Sequence, residues 1–406
     1  MRRVAIAVAA GLGVALVAGS ITVAWVFGPD IVNHFKDASS ESSQIATAQI
    51  GGSEPGSLVS ATTMDQLDKD PDSALWSSAR VLYRSTEGDT GQPTVVSGSV
   101  YVPKAPAPAG GWPVMAFGHG TVGIDEPCAP SLSPSLLNMK VWVVSLIRKG
   151  YAVAFTDYQG LGAPGVHPYT DNKTEGYNVI DSVRALRHTF PDVSNRWAAF
   201  GGSQGGGAVW AAAELAPTYA PELDLVGVVA MSPAADVSGI VDKATAKTLT
   251  TDQAPAWFPL VEVMGRLHPD FNRDDYRSGA AAKYWDILTS CSGPKSLDRN
   301  AAAAELKDTD FVPRTPEAAD RLRDLLKQWA LPHEPVSVPL SIIYGGKDTL
   351  IDPQWTTDAI ARACALGGPI VWDFQPDKDH GSVDISTQFD WLADRFAGKP
   401  VASECP

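Results

Sequence analysis

A chain of 406 residues that is 44% hydrophobic and 19% charged can bury one large core, or a core plus a subdomain, and its composition is not that of a disordered protein. Its 46 acidic residues outnumber its 32 basic ones, giving a formal net charge of -14. With no long basic block beyond Arg2-Arg3, it would repel a phosphate backbone, which argues against a nucleic-acid partner.

The chain opens on a targeting element. After Arg2-Arg3 the run from Val4 to Gly28 carries no charge. As a helix it would reach about 37 Å, enough for a hydrocarbon core of about 30 Å. Residues 1–28 therefore read as a signal peptide or a signal anchor. Val17-Ala18-Gly19 offers a small-x-small cleavage site, while "ITVAWVF" prolongs the apolar run past it. No cysteine precedes Cys128, so a lipoprotein signal is excluded. The expected destination is outside the cell, either secreted or held on the outer face of the membrane by the N-terminal segment. Polar residues 29–54 read as a linker and 55–406 as the folded body.

Four cysteines in an exported chain, Cys128, Cys291, Cys364 and Cys405, point to two disulfides. None has the short CxxC spacing of a zinc site, and the sequence leaves all three pairings open. No metal and no cofactor are expected.

The body alternates strand and helix. Val95–Val102 and Val114–Phe117 read as strands, and Ser133–Lys149 as a helix stopped by Gly150. Tyr151–Tyr158 ("YAVAFTDY") is the next strand, Asn178–Phe190 the next helix, and "WAAF" (197–200) a further strand. This alternation predicts an α/β fold with a mostly parallel sheet covered by helices on both faces.

After "WAAF" comes Gly201-Gly202-Ser203-Gln204-Gly205, a G-x-S-x-G pentapeptide between a strand and an alanine-rich helix. That is the setting of a nucleophile elbow, where a sharp turn holds a serine in a strained conformation at the sheet edge and glycines permit close passage. A glycine-rich turn without chemistry is the plain alternative. A dinucleotide loop would want G-x-G-x-x-G near the first strand.

A serine nucleophile needs a histidine base and an orienting acid, in the chain order serine, acid, histidine. Three histidines follow Ser203. His268 and His333 fall in a helical, proline-interrupted stretch that suits surface or packing roles. His380, in "FQPDKDHGS" after the last expected strand "PIVWDF", is assigned as base. Asp348 is the first carboxylate beyond the strand Leu340–Tyr344 and is assigned as acid; Asp352, before Pro353, reads as a cap or turn residue. The developing oxyanion needs donors. The Gln204 backbone N–H, just after the nucleophile, supplies one. Thr121, in the loop "GHGTVG", is the candidate for the second.

"GHGTVG" followed by "CAPS", then "DYQGLG", "HPY", "GGSQGGGA", "YAPEL" and "GGKDTLIDP", together resemble the secretory lipase family, α/β-hydrolases of the Candida antarctica lipase A type, from about Pro55 onward. The resemblance implies the same triad of Ser203, Asp348 and His380, the pairings Cys128 with Cys291 and Cys364 with Cys405, and cofactor-free hydrolysis of triacylglycerols and other carboxylic esters. It also implies an inserted, mainly helical cap, and about a hundred residues before "VPLSIIY" leave room for one at about 240–336. Within it "TPEAADRLRDLLKQWAL" is an amphipathic helix capped by Thr315 and opened by Pro316, with Leu322, Leu325, Leu326 and Trp329 on one face. Trp257, Phe258, Leu260, Val261 and Met264 either pack a core or line an acyl tunnel.

The expected protein is an exported serine ester hydrolase acting on an acyl-ester or lipid substrate. An acyltransferase or serine peptidase acting on envelope components would use the same parts. Asn172-Lys173-Thr174 is a glycosylation triplet in a suitable host. Acyl length and oligomeric state are not written in the sequence.

Overall fold

The computed structural model describes residues 42–68, 71–291 and 296–406. The expected signal or anchor at 1–28 and the first part of the linker lie outside the described residues. Residues 42–54, expected as linker, are instead laid on the body. Ile45 N–H donates to the Ala61 carbonyl at 3.0 Å and Gln49 N–H to the His188 carbonyl at 2.8 Å. Ile45 and Ala48 also pack against the main core, so the folded body begins before residue 54.

Nine strands make one sheet: β1 (Leu58–Thr62), β2 (Trp76–Thr86), β3 (Pro93–Pro103), β4 (Trp112–Gly118), β5 (Ala152–Gln159), β6 (Val193–Gly202), β7 (Asp224–Met231), β8 (Leu340–Gly345) and β9 (Ile370–Gln375). Their order is β1-β2-β3-β5-β4-β6-β7-β8-β9. The first pairs, β1 with β2, β2 with β3 and β3 with β5, are antiparallel, and every later pair is parallel. The α/β-hydrolase expectation holds, with an antiparallel edge.

The order places the site. From β4 the chain moves to β5 on one side, then crosses back to β6 on the other. At such a switch point the loops leaving the carboxyl ends of β4 and β6 diverge and open a crevice. Successive residues there point to opposite faces. Phe117 and Phe200 stack with ring centroids 5.8 Å apart, and Phe200 meets Trp142 and Phe389 on that side. Gly118 instead faces Gly205 and Val209 of the helix Gln204–Tyr219. Strands β4 and β5, covered on both faces, read as continuous apolar runs for this reason.

Two helices differ from the sequence reading. The first is Lys140–Arg148, not Ser133–Lys149. Leu136, Leu137 and Asn138 have φ of 51°, 52° and 71°, which no right-handed helix accommodates, and the turn they make drives Leu136 fully into the core. The second begins six residues early, spanning Asn172–Thr189, because the Asp171 side chain accepts from the Lys173 and Thr174 N–H groups. Asn172 is buried, and its amide nitrogen donates to the Ala234, Ala235 and Trp329 carbonyls. A glycan there would require unfolding.

Between β7 and β8 a second apolar cluster forms. Trp257, Phe258, Leu260, Val261 and Met264 of the helix Ala254–Leu267 are packed with Trp285, Phe311 and the face Leu322, Leu326 and Trp329 of the helix Pro316–Trp329. Phe258 meets the Trp285 and Phe311 rings edge-on at 5.3 and 5.7 Å. The stripe is core in this structure, and truncating Phe258 to Ala would cost about 3–5 kcal/mol. Thr315 caps the second helix, accepting from Ala318 N–H at 3.2 Å. Cys128–Cys291 joins the loop after β4 to this region, and Cys364–Cys405 ties the helix Pro353–Leu366 to the C-terminal tail.

Candidate active site

Ser203 sits between β6 and the helix Gln204–Tyr219 with φ 58° and ψ -122°. That backbone conformation costs a residue with a Cβ on the order of 1–3 kcal/mol unless its surroundings enforce it. Here they do: Ser203 N–H donates to the Met231 carbonyl at 2.9 Å, and its carbonyl accepts from Ala234 N–H at 3.0 Å. A Cβ on Gly201 would overlap the Gly205 carbonyl, and a Cβ on Gly205 would overlap that of Gly118. The pentapeptide's outer glycines are thus a contact requirement, because β4, β6 and the helix start meet backbone to backbone.

Asp348 and His380 come from the ends of β8 and β9. Gly345 and Gly346 make room for the histidine loop: a Cβ on Gly345 would overlap the Lys378 carbonyl, and one on Gly346 would stand 2.7 Å from the Pro376 oxygen. Lys347 N–H then donates to the Lys378 carbonyl at 2.8 Å. His380 Nδ1 meets Asp348 Oδ2 at 2.7 Å, with the two side chains 15% and 2% exposed. Asp348 Oδ1 accepts from Leu350 N–H at 2.8 Å and Ile351 N–H at 2.9 Å. Every direction around that carboxylate is set. With the proton on Nδ1, the imidazole presents its Nε2 lone pair.

The strand after the elbow carries the registry between the two halves. Ser232, directly after β7, donates from Oγ to the His380 carbonyl at 3.1 Å and from its N–H to the Ile343 carbonyl at 2.7 Å. Its neighbour Met231 is the residue that accepts Ser203 N–H. The structure therefore gathers Ser203, Asp348 and His380 at the carboxyl ends of β6 to β9. Ser203 Oγ has no hydrogen-bond partner among the described residues, and catalytic contacts often tighten only with substrate bound.

The two expected oxyanion donors lie at the same corner. The loop after β4 crosses the elbow closely enough that a Cβ on Gly120 would stand 3.8 Å from Ser203 Cβ. Thr121 is exposed, and its Oγ1 is 2.8 Å from the Tyr169 hydroxyl. Burial pushes the Tyr169 pKa up to about 12, so it keeps its proton. Gln204 is buried, its side chain turned away into the protein.

The other candidates are placed elsewhere. Asp352 caps the helix Pro353–Leu366, accepting from Gln354 N–H at 3.0 Å, and pairs with Lys243 at 2.7 Å. His268 ends the helix Ala254–Leu267, and His333 N–H donates to Glu214.

A buried polar cluster behind the elbow escaped the sequence reading. Gln204 Nε2 is 2.7 Å from Glu175 Oε1 and 2.9 Å from His167 Nε2. Burial lowers the His167 pKa to about 3, so the ring is neutral, and raises that of Glu175 well above the ordinary carboxylate value. The signal for it is a polar stripe, Thr174, Glu175, Asn178, Asp181 and Ser182, buried at helical spacing. A hydropathy reading turns that face outward. Among the described residues no group of three or more His, Cys, Asp or Glu is arranged to hold a metal.

Residues 132–293 match the family model for secretory lipases. Among relatives, the chain is 26% identical over 350 residues to "Probable inactive lipase MT1628" of Mycobacterium tuberculosis, covering 80% of this chain and 74% of that protein. It is 29% identical over 373 residues to "Secreted triacylglycerol lipase LIP4" of Malassezia globosa, covering 84% and 77%. The solved structure of Candida antarctica lipase A in its closed state has the same fold, with a TM-score of 0.67, 19% identity and coverage of 91% of this chain and 88% of that one.

Proposed function

We propose that this carboxylic ester hydrolase, similar to secretory lipases over residues 132–293, cleaves acyl esters such as triacylglycerols outside the cell, through Ser203, His380 and Asp348. The observation that carries the reading is the 2.7 Å bond between His380 Nδ1 and Asp348 Oδ2 beside a serine held at φ 58°.

In this reading His380 Nε2 takes the Ser203 proton as Oγ adds to the ester carbonyl carbon. The tetrahedral oxyanion receives the Gln204 N–H. Thr121 supplies the second donor: with Tyr169 donating to Thr121 Oγ1, the threonine hydroxyl keeps its own proton for the oxyanion. Each donor is worth about 10² to 10³ in rate. The protonated imidazole hands its proton to the leaving alcohol, and an acyl-Ser203 ester remains. Water, deprotonated by His380, attacks that ester and releases the acid, restoring Ser203. The insertion between β7 and β8 acts as the cap over this corner.

The deciding experiment compares purified wild-type protein and Ser203→Ala on p-nitrophenyl butyrate and palmitate. Serine-dependent turnover is expected, and the preference between the chains separates a short-chain esterase from a lipase. Folded wild-type protein that cleaves neither, or an equally active alanine variant, would overturn the hydrolytic reading. A large rate gain with an added alcohol, sugar or lipid acceptor would move the protein to acyl transfer.

A further inference from the structure

We propose that Glu175 and His167 are positioning residues that clamp the Gln204 side chain and thereby aim its backbone N–H at the oxyanion. This rests on the reading of Ser203 as nucleophile given above.

The contacts of the Gln204 amide nitrogen follow from its neighbours, while Glu175 Oε2 is buried without a hydrogen-bond partner among the described residues. His167 Nδ1 lies 2.9 Å from the Gln159 carbonyl, which can only accept, so the ring proton is on Nδ1 and Nε2 offers a lone pair. The Gln204 amide nitrogen has two hydrogens. One goes to that lone pair at 2.9 Å and the other to Glu175 Oε1 at 2.7 Å. Glu175 Oε1 is itself fixed by Thr170 N–H at 3.1 Å. The two anchors belong to different elements, Glu175 to the helix Asn172–Thr189 and His167 to the loop after β5, so the planar amide is braced from two directions.

All three side chains are at most 1% exposed. Burying an amide, an imidazole and a carboxyl together costs free energy that an apolar trio of the same size would not. What the polar trio provides is direction: two directional bonds fix the side-chain torsions of the residue whose N–H faces the reacting carbonyl, as outer partners fix ligands at a metal. A charged Glu175 here would oppose the negative charge growing at Ser203, and burial disfavours that charged form.

The test uses Gln204→Met, which keeps length and loses both donors, Glu175→Leu, which loses the acceptor, and Glu175→Gln, which retains an acceptor oxygen. Gln204→Met and Glu175→Leu are expected to lower kcat about 10²-fold with KM within about threefold. Their affinity for a trifluoromethyl ketone, which adds to Ser203 and forms an oxyanion, should fall in parallel with kcat/KM. Glu175→Gln should restore both to within a fewfold of wild type. Should the first two fail to fold, His167→Phe keeps the ring contact with Tyr158, removes the bonds to Gln204 and to the Gln159 carbonyl, and must lower kcat about fivefold to tenfold at constant KM. Unchanged kcat and ketone affinity with only a shifted melting temperature would overturn the clamp. A wild-type protein that neither turns over ester nor binds the ketone would instead overturn the hydrolase reading.

Discussion

Replacing Asp348 by Asn tests the proposed triad most sharply, because the structure dictates which way the new amide must face. Asp348 Oδ1 accepts two backbone N–H groups, at 2.8 and 2.9 Å, while Oδ2 accepts from His380 Nδ1 at 2.7 Å. An asparagine that keeps its oxygen on the two N–H groups must turn its NH₂ toward His380. The imidazole then accepts at Nδ1 and carries its proton on Nε2, where the Ser203 proton has to go. The opposite orientation sets NH₂ against two N–H donors and forfeits both bonds, each about 1–3 kcal/mol. The wrong tautomer therefore wins by on the order of 2–6 kcal/mol. The expected result is a fall in kcat of about 10⁴, equivalent to about 5.4 kcal/mol in the barrier, with KM little changed. Saturation kinetics on p-nitrophenyl butyrate, with circular dichroism to verify the fold, measure it. An Asn variant within tenfold of wild-type kcat would refute the argument.

Asp352→Ala is the contrast: it should leave kcat unchanged and cost about 0.5–2 kcal/mol in urea unfolding, the loss of a helix cap; a large fall in kcat would make Asp352 the acid in place of Asp348. Glu214, pushed up to about pKa 7 by burial, favours the folded state when neutral, so its contribution is full below its unfolded pKa of about 4 and is lost as pH rises through 7. Glu214→Gln should therefore gain on wild type by about 1.4 kcal/mol per pH unit between pH 5 and 7 and level off above, and a pH-independent difference would refute it. Ser203→Gly should be more stable than Ser203→Ala by about 1 kcal/mol, because only glycine is relieved at φ 58°, and equal melting temperatures would mean the elbow is unstrained.

Local constraints were legible in the sequence and remote ones were not. Gly201 and Gly205 announce the elbow because their need for close passage is written in five consecutive residues, and Asp348 and His380 follow from strand ends and chain order. Leu136 to Asn138 make a left-handed turn that no glycine announces, and the turn seats Leu136 in the core. The apolar stripe of the helix Ala254–Leu267 showed that something packs on it; that the partners are Trp285 and Phe311 depends on contacts between separate segments. Glu175 and Gln204, 29 residues apart, meet only after two helices pack side by side. Hydropathy assigns each to the surface, and only their pairing makes burial affordable.

Similarity by itself does not say that this chain works, since one relative is named a probable inactive lipase. The decision lies in where the molecule accepts instability. Ser203 is held in a conformation that costs a residue with a side chain on the order of 1–3 kcal/mol. Three backbones are pressed together at Gly118, Gly201 and Gly205 with no side chain to bury between them. A carboxyl, an imidazole and an amide are buried directly behind. None of these features is repaid in packing, and the apolar alternatives at Ser203 and in the buried trio would be more stable. They converge on one crevice, at the switch point where the loops after β4 and β6 part, beside the Asp348–His380 pair. Unfavourable choices that cluster around a single hydroxyl are what the chemistry proposed for Ser203 requires.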